Sequence, residues 1–271
     1  MNNSKVNVIL FAAGLGTRLR PATLENPKPV IPLFGIPMGY YALPYFESIN
    51  INKFIINTFH LPLKIRACYE KINKNFLFSD EKDFIKGSGG GLRQAQSLLD
   101  TTETQYPFIS CNADEIFFTS ETNFLNHALK QHLNTQAFAT LVVTENAEVG
   151  HKFGGIWVDE NNRVIGIGKE KPQKSVKGWH FTGLQILSPE VLKYIEENKE
   201  QNIFYDVLNY LLNEKLVKIY SVKMDWYEVG NLADYEQAKK SISLKKDIDP
   251  IYMQHFSKLS QLPKSDIVDL S

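Results

Sequence analysis

The chain has 271 residues and carries 30 Lys plus Arg against 30 Asp plus Glu, so its formal net charge at pH 7 is zero. This balance excludes a long-range field that would recruit nucleic acid or an anionic membrane, and any anion site must be a local cluster of cations. A chain of this length buries a sizeable core, and we expect one α/β domain with additions.

The remaining composition indicates the compartment. Cys68 and Cys111 lie in apolar contexts without metal-ligand spacing, which is typical of buried free thiols in a reducing compartment. The N-terminal apolar run is broken by glycine and followed by arginines, unlike a signal peptide, and no run of eighteen apolar residues exists for a membrane span. We therefore expect a cytoplasmic protein, a monomer or homodimer, with neither nucleic acid nor membrane as a partner.

The first segment of interest is the apolar run 8–13, which is short and rich in β-branched residues and predicts a buried parallel strand. It leads into Gly14 and Gly16. Glycines permit backbone angles and close approaches that a Cβ forbids, so successive N–H groups can turn toward an anion. The turn is a candidate phosphate cradle, although a glycine pair after a strand is also a common tight turn.

Cations follow this glycine turn. Arg18 and Arg20 carry permanently charged donor forks, and Lys28 lies between two prolines that stiffen the segment presenting it. Cations beside a glycine turn suit a polyphosphate. The Rossmann fingerprint is excluded because Leu19 occupies the position of its third glycine. The P-loop pattern is excluded because no Gly-Lys-Ser/Thr follows the turn.

Helical and strand periodicities alternate along the rest of the chain. They predict helices over 39–49, 61–72, 92–99, 123–134, 188–197, 203–214 and 232–241, strands over 53–59, 75–79, 107–114, 137–144 and 217–222, a strand end at 225–230, and a hairpin over 153–167. This order predicts right-handed βαβ crossovers in an α/β fold. The expected architecture is a Rossmann-like mixed, mainly parallel sheet flanked by helices, with a β-hairpin insertion.

Three further features have both a functional and a structural interpretation. The glycine run 87–91 is either a plain loop or a wall of a ligand site. Asp114 closes a predicted strand, where it either faces the ligand crevice or caps the next helix. Glu170 stands between lysines in a segment that is either a solvated charge cluster or part of a pocket.

Taken in order, these motifs resemble the sugar-1-phosphate nucleotidyltransferases, whose signature is Gly-x-Gly-Thr-Arg-Leu followed by Pro-Lys-Pro. Length and the glycine run are most similar to the N-acetylmuramate-1-phosphate uridylyltransferase and mannose-1-phosphate guanylyltransferase branch. The signature is matched by Gly14, Gly16, Thr17, Arg18, Leu19, Pro27, Lys28 and Pro29. The resemblance implies a nucleotide-diphospho-sugar transferase fold and an enzyme that condenses a nucleoside triphosphate with a sugar 1-phosphate, releasing pyrophosphate.

The resemblance also implies roles for individual residues. It implies Arg18 and Lys28 as catalytic, and Asp114 and Glu228 as ligands of Mg²⁺. The nucleotide-binding residues that it implies are Ala13, Gly14, Gly16, Thr17, Gly89 and Gly90. The substrate-binding residues that it implies are Asn112, Gly155, Glu170, Lys171 and Gly183.

This chain departs from the family motifs at four positions. Ser88 replaces the usual Thr, Ala113 stands beside Asp114, Glu228 replaces an Asp, and Asn231 replaces a Thr. The exchange at 228 keeps the carboxylate on an arm longer by one methylene. Two alternatives stay open: a cytidylyltransferase for phosphocholine or another non-sugar phosphate, and a non-catalytic nucleotide-sugar-binding regulatory subunit.

The predicted domain organisation is a nucleotidyltransferase domain over 1–244 and a C-terminal appendage over 245–271, where no strong period is visible.

Overall fold

The structure, a computed structural model, describes residues 4–270, so the outermost residues of both predicted domains, 1–3 and 271, lie outside the described part. The strands are β1 (Val6–Phe11), β2 (Pro32–Leu33), β3 (Ile36–Pro37), β4 (Ile51–Thr58), β5 (Leu77–Asp80), β6 (Phe108–Asn112), β7 (Ile116–Phe118), β8 (Ala139–Thr144), β9 (Gly155–Val158), β10 (Val164–Gly168), β11 (Lys177–Leu187), β12 (Val217–Ser221) and β13 (Asp225–Tyr227).

The α-helices are α1 (Ala22–Glu25), α2 (Pro62–Glu70), α3 (Gly87–Ala95), α4 (Phe124–Thr135), α5 (Asn209–Leu211), α6 (Leu232–Ser243) and α7 (Pro250–Leu259). Short 3₁₀ helices lie at Thr17–Leu19, Lys28–Val30, Met38–Tyr40, Leu43–Phe46, Gln96–Leu98, Glu103–Gln105 and Pro189–Tyr194, and a π-helix at Ile203–Leu208. None of the helices in the described residues is long and apolar enough to cross a membrane.

Nine of the described strands form one mixed sheet, and the predicted fold class is confirmed. The path β5, β4, β1, β6 is parallel, β11 pairs antiparallel with β6 and β8, and β12 pairs parallel with β8. The side chains of β1 alternate between two cores, since Val8 and Leu10 belong to one apolar cluster and Ile9 to the other. Burial on both faces explains why this strand reads as a continuous apolar run.

The predicted hairpin is confirmed as β9 and β10, which pair antiparallel. Strand β9 joins the large sheet by pairing with the first residues of β11. The hairpin turn lies at Asn161-Asn162: Asn162 adopts a left-handed φ of 56°, and the Asp159 carboxylate accepts bonds from the N–H groups of Asn161 and Arg163. Asn tolerates this conformation better than most residues, which is why it marks the turn.

The helix predicted over 39–49 is wrong. The structure has two short 3₁₀ helices there, Met38–Tyr40 and Leu43–Phe46. Pro44 lies in the middle of the segment, and its ring removes an N–H donor and clashes with a continuous helix. The apolar positions that produced the period are nevertheless in the core, as shown by buried Tyr41 and Tyr45.

The C-terminal segment contains a helix that the sequence did not reveal. Helix α7 begins at an Asp249 cap and buries Tyr252, His255 and Leu259 against the main core. Beyond it, the Asp269 carboxylate accepts hydrogen bonds of 2.8 Å from the N–H groups of both residues in the β2–β3 turn. Residues 250–270 therefore pack onto the segment that follows Lys28, and the division of the chain at residue 244 stays a prediction.

Candidate functional site

A cleft of about 420 Å³ opens at the carboxyl ends of β1, β4 and β6, where open parallel sheets bind their ligands. Its walls come from the glycine turn, the strand ends, the start of α3 and the segment after β13. The lining residues are Phe11, Ala12, Ala13, Gly14, Gly16, Thr17, Arg18, Lys28, Pro29, Asn57, Ile85, Gly87, Ser88, Asn112, Asp114 and Gly230. The cleft thus brings together the predicted catalytic residues, four of the predicted nucleotide-binding residues, Asn112 and Asp114.

The glycine turn is held by contacts that require glycine at Gly16. This residue has a φ of +60°, and a Cβ on it would lie 2.8 Å from the Thr23 Cγ2. The Thr23 hydroxyl donates a 2.8 Å hydrogen bond to the Gly16 carbonyl, which fixes the turn against α1. Gly14 has no atom near its missing Cβ and is exposed to the cleft, so the turn presents open backbone there.

Lys28 and Asp114 form an ion pair inside the cleft. The Lys28 Nζ lies 2.6 Å from the Asp114 Oδ2, and the Lys28 side chain is only 11% exposed. Lys28 begins a short 3₁₀ helix between Pro27 and Pro29, both buried, so its backbone is fixed. A charge pair in this position is available to phosphate on its cationic side and to a metal ion on its anionic side.

Arg18 and Glu228 form a second, looser pair at the rim. The Arg18 Nη1 lies 3.9 Å from the Glu228 Oε1, and the two side chains are 69% and 22% exposed. Gly230 leaves room for both groups, because a Cβ on it would lie 2.2 Å from the Glu228 Oε1 and 2.7 Å from the Arg18 Nη1. Arg20, by contrast, is exposed and is not among the residues that line the cleft.

The predicted metal ligands fit Mg²⁺ by the chemistry of their donors. Asp114 lines the cleft, and the Glu228 carboxylate lies over Gly230, which lines it too. Carboxylate oxygens are the ligands that Mg²⁺ takes in small number, with water and substrate phosphate completing its shell. Within residues 4–270 no cluster of three or more His, Cys, Asp or Glu side chains could hold a metal ion alone, so a metal here would depend on substrate oxygens.

The glycine run forms the first turns of α3 and not a loop before a helix. Gly87 and Ser88 line the cleft. Gly89 and Gly90 are buried on the side of α3 that faces residues 199–201: the Gly89 N–H donates a 2.8 Å bond to the Gln201 carbonyl, and a Cβ on Gly90 would lie 2.3 Å from the Lys199 carbonyl oxygen. Close backbone packing is therefore a sufficient reason for glycine at these two positions.

We expect Gly90→Ala to lower the free energy of unfolding by about 1 to 3 kcal/mol, the usual cost of overpacking, since the atom it meets belongs to backbone that cannot rotate away. Urea denaturation measures the change. The matched control is Gly154→Ala, whose Cβ would have 3.5 Å to its nearest neighbour and whose stability should stay within about 0.5 kcal/mol of wild type. Equal denaturation midpoints for both variants would contradict the packing explanation.

The residues predicted to bind the sugar phosphate are spread more widely. Asn112 lines the cleft. Gly155 lies beneath the Trp157 indole, which a Cβ would approach to 2.7 Å, and Gly183 adopts a φ of +80° within an irregular stretch of β11. Glu170 and Lys171 are exposed on the segment after β10 and are not among the residues that line the cleft.

Two side chains near the cleft were missed from the sequence. Asn57, near the end of β4, accepts a 2.7 Å bond from the Ala12 N–H and donates to buried Glu81. Glu115 accepts bonds from the Asn112 amide and the Trp226 indole. Burial, followed by the neighbouring Asp114 charge, raises the pKa of the Glu115 carboxyl above its ordinary value. A polar residue ending a central strand was the available signal for Asn57, whereas none pointed to Glu115.

Comparison with known proteins confirms the family that the sequence motifs indicate. The model of the nucleotidyl transferase family matches residues 7–244. Among curated proteins, a UTP–glucose-1-phosphate uridylyltransferase of Synechocystis sp. is 27% identical over 256 residues, which are 88% of this chain and 63% of that protein. A mannose-1-phosphate guanyltransferase of Schizosaccharomyces pombe is 29% identical over 235 residues, 85% of this chain and 62% of that protein. The chain thus spans less than two thirds of these relatives.

Solved structures show the same fold. A UDP-glucose pyrophosphorylase complexed with UDP-glucose superposes with a TM-score of 0.71 at 21% identity, covering 89% of this chain and 99% of that one. An inositol-1-phosphate CTP transferase from T. maritima superposes with a TM-score of 0.70 at 17% identity, covering 95% and 97%. With the family model matching most of its length, the chain belongs to the nucleotidyl transferase family.

Proposed function

We propose that the protein condenses a nucleoside triphosphate with a sugar 1-phosphate to give a nucleotide-sugar and pyrophosphate. The observation that carries the proposal is the arrangement of Lys28 and Arg18 on one cleft, each beside a carboxylate, at the strand ends where the glycine turn also opens. The curated relatives named above act on sugar 1-phosphates according to their names, which supports the same substrate class.

In the proposed reaction a phosphate oxygen of the sugar 1-phosphate attacks the α-phosphorus of the triphosphate. A new P–O bond forms as the bond from the α-phosphorus to the bridging oxygen breaks, and the electron pair leaves with pyrophosphate. Transfers of this kind require positioned reactants and neutralised charge more than covalent chemistry from the protein. Lys28, shielded and held in a short helix between two prolines, suits the reacting phosphate, and the exposed fork of Arg18 suits the departing pyrophosphate.

Asp114 and Glu228 would hold the divalent metal in this proposal. A bound Mg²⁺ supplies charge neutralisation and orientation of phosphate oxygens. The carboxylates that would hold it are paired with Lys28 and Arg18, so bound substrate phosphate and metal would take the place of two protein ion pairs. The glycine turn and Ala13 offer backbone to the nucleotide, and Lys171 and Glu170 remain proposed contacts for the sugar phosphate.

The proposal is tested by pyrophosphate release from a panel of UTP, GTP, CTP, ATP and dTTP combined with glucose, mannose, N-acetylglucosamine and N-acetylmuramate 1-phosphates. Phosphocholine with CTP serves as the non-sugar comparison. Pyrophosphate release that requires a sugar 1-phosphate supports the proposal and identifies the substrate pair. Release only with phosphocholine, or binding of nucleotide-sugar without turnover with any pair, would overturn it.

We expect turnover to stop when EDTA exceeds the divalent cation in the assay and to return when Mg²⁺ is added back. Two carboxylates at one anion-binding cleft disfavour phosphate unless a cation lies between them. The pyrophosphate assay, run with and without chelator at constant ionic strength, measures the effect. Undiminished turnover in EDTA would rule out Asp114 and Glu228 as holders of an essential metal.

A further inference from the structure

The two proposed metal carboxylates lie beside a short two-stranded sheet. Asp114 lies between β6, a strand of the large sheet, and β7, and Glu228 follows β13, which pairs only with β7 among the described strands. The register places Tyr227 opposite Ile116, so the ladder brings the two segments together, but its last pair includes neither carboxylate residue. Beyond that pair, the two segments are connected by a side chain.

Glu115 makes that connection. Its Oε1 accepts a 2.8 Å bond from the Asn112 Nδ2 at the end of β6, and its Oε2 accepts a 2.7 Å bond from the Trp226 Nε1 on β13. One carboxylate therefore joins the strand end before Asp114 to the strand that leads to Glu228. Both partners are N–H donors, and each donates to a different oxygen of the same carboxyl group, so one side chain satisfies both.

Besides its two hydrogen-bond partners, the Glu115 carboxylate contacts β11. A Cβ on Gly183 would lie 2.2 Å from the Glu115 Oε1 and 2.3 Å from its Cγ. Gly183 also has a φ of +80° where the register of β11 shifts, as at a β-bulge. The missing side chain of Gly183 is thus the space that Glu115 occupies, which gives this glycine a second role beside its proposed contact with the substrate.

The Trp226 indole is packed against two other rings while it donates to Glu115. Its ring centroid lies 4.1 Å from that of His180 and 5.5 Å from that of Phe153. Burial lowers the pKa of His180 to about 4, so its ring is neutral at pH 7, and neither ring nitrogen has a hydrogen-bond partner in the described chain. The imidazole serves here as an aromatic packing surface, and the indole N–H stays directed at the carboxylate.

We propose that Glu115 is a positioning residue that sets the spacing of Asp114 and Glu228, and so the site for the divalent metal, by joining Asn112 to Trp226. This inference rests on the proposed function. Mutation of an outer-shell group that hydrogen-bonds a metal ligand typically costs about 10- to 100-fold in metal affinity. Glu115 bonds Asn112 and Trp226, which neighbour the proposed ligands, so we expect an effect at the lower end of that range on the metal-dependent part of nucleotide binding.

The experiment compares the affinity for the Mg²⁺ complex of a triphosphate with the affinity for the same triphosphate in EDTA, by calorimetric titration of UTP and of GTP. In wild type the metal complex should bind more tightly. In Glu115→Ala and in Trp226→Phe the ratio of the two affinities should fall about tenfold, the lower end of the outer-shell range, with little change in the metal-free affinity. Glu115→Gln, which keeps one acceptor oxygen, should fall between them and wild type.

Two comparisons separate positioning from loss of structure. The double variant Glu115→Ala with Trp226→Phe should be no weaker than Glu115→Ala alone, since that single change already removes the bond to Trp226. Asp225→Asn is the matched control: it lies on the same strand, and its carboxylate accepts bonds from Lys245 and Tyr252 outside the cleft, so its ratio should equal that of wild type. Circular dichroism confirms folding, and Glu115→Gln serves if Glu115→Ala does not fold.

An unchanged ratio in the folded variants would overturn the proposal, as would equal losses of metal-bound and metal-free affinity, which indicate a general structural role. A wild-type ratio of one would overturn it too, because no metal site would then exist to be positioned. The binding ratio is measured without catalysis. A wild type that binds the metal complex but turns over no sugar 1-phosphate contradicts the proposed function while leaving this inference supported.

Discussion

Lys28→Ala is expected to lower the turnover number by about a thousandfold, which corresponds to about 4 kcal/mol of transition-state stabilisation. The Lys28 side chain is 11% exposed and its Nζ lies 2.6 Å from the Asp114 carboxylate, so its charge acts where little water reaches it. Its removal withdraws a cation from the reacting phosphate and leaves Asp114 unpaired. Steady-state pyrophosphate release, with circular dichroism to confirm the fold, measures the result.

The matched control for Lys28→Ala is Lys258→Ala. Lys258 also lies 2.6 Å from a carboxylate, that of Glu47, but on the surface and away from the cleft. Exposed ion pairs contribute little to stability, so this variant should be as active as wild type. If Lys28→Ala turned over at the wild-type rate, the cleft would not be the site of phosphoryl chemistry.

The sequence predicts well those segments in which a single physical effect, such as burial on both faces or the rigidity of proline, determines the backbone. Strand β1 is buried on both faces, so its apolar run predicts a strand without ambiguity. The Pro-Lys-Pro segment is rigid because each proline fixes its own φ angle. The 39–49 segment shows the opposite case: its apolar spacing is helical, yet Pro44 divides it into 3₁₀ turns. Periodicity reports which side chains are buried and not which backbone carries them.

The candidate site was predictable only where a motif is local. Gly16 follows a recognisable strand, Asp114 closes a predicted one and Lys28 lies in a Pro-Lys-Pro motif, and all three line one cleft. Glu115 has a role only because Trp226, more than a hundred residues away, points its N–H at it. Such long-range side-chain pairs leave no period or composition in the sequence, and only the three-dimensional arrangement reveals them.

The glycine run is an intermediate case. The sequence leaves open whether this run is a plain loop or a wall of a ligand site. In the structure it begins α3, with Gly87 lining the cleft and Gly90 packed against the chain itself at Lys199. A glycine signals that a Cβ has no room. It does not say whether ligand or protein fills that room.

Glu228 is the proposed ligand that departs from the family motif, and its substitution should separate metal binding from simple charge. The extra methylene shifts the carboxylate by about 1.5 Å, a C–C bond length, while Mg²⁺ demands near-ideal octahedral geometry at short distance. Glu228→Gln keeps the size of the side chain but removes its charge. We expect it to cut turnover about a hundredfold, or about 2.7 kcal/mol.

Glu228→Asp should retain much of the activity, because it keeps the carboxylate charge. It should also change the ratio of the rates with Mg²⁺ and Mn²⁺, because the shorter side chain holds the carboxylate at a different distance from the metal. The Arg18 Nη1, at 3.9 Å from the Glu228 carboxylate, is too distant for a hydrogen bond, so either exchange removes little direct contact with it. Asp225→Asn, on the preceding strand, controls for charge loss nearby. If Glu228→Gln turns over like wild type, the metal is held by Asp114 and substrate phosphates alone, and position 228 has no part in the chemistry.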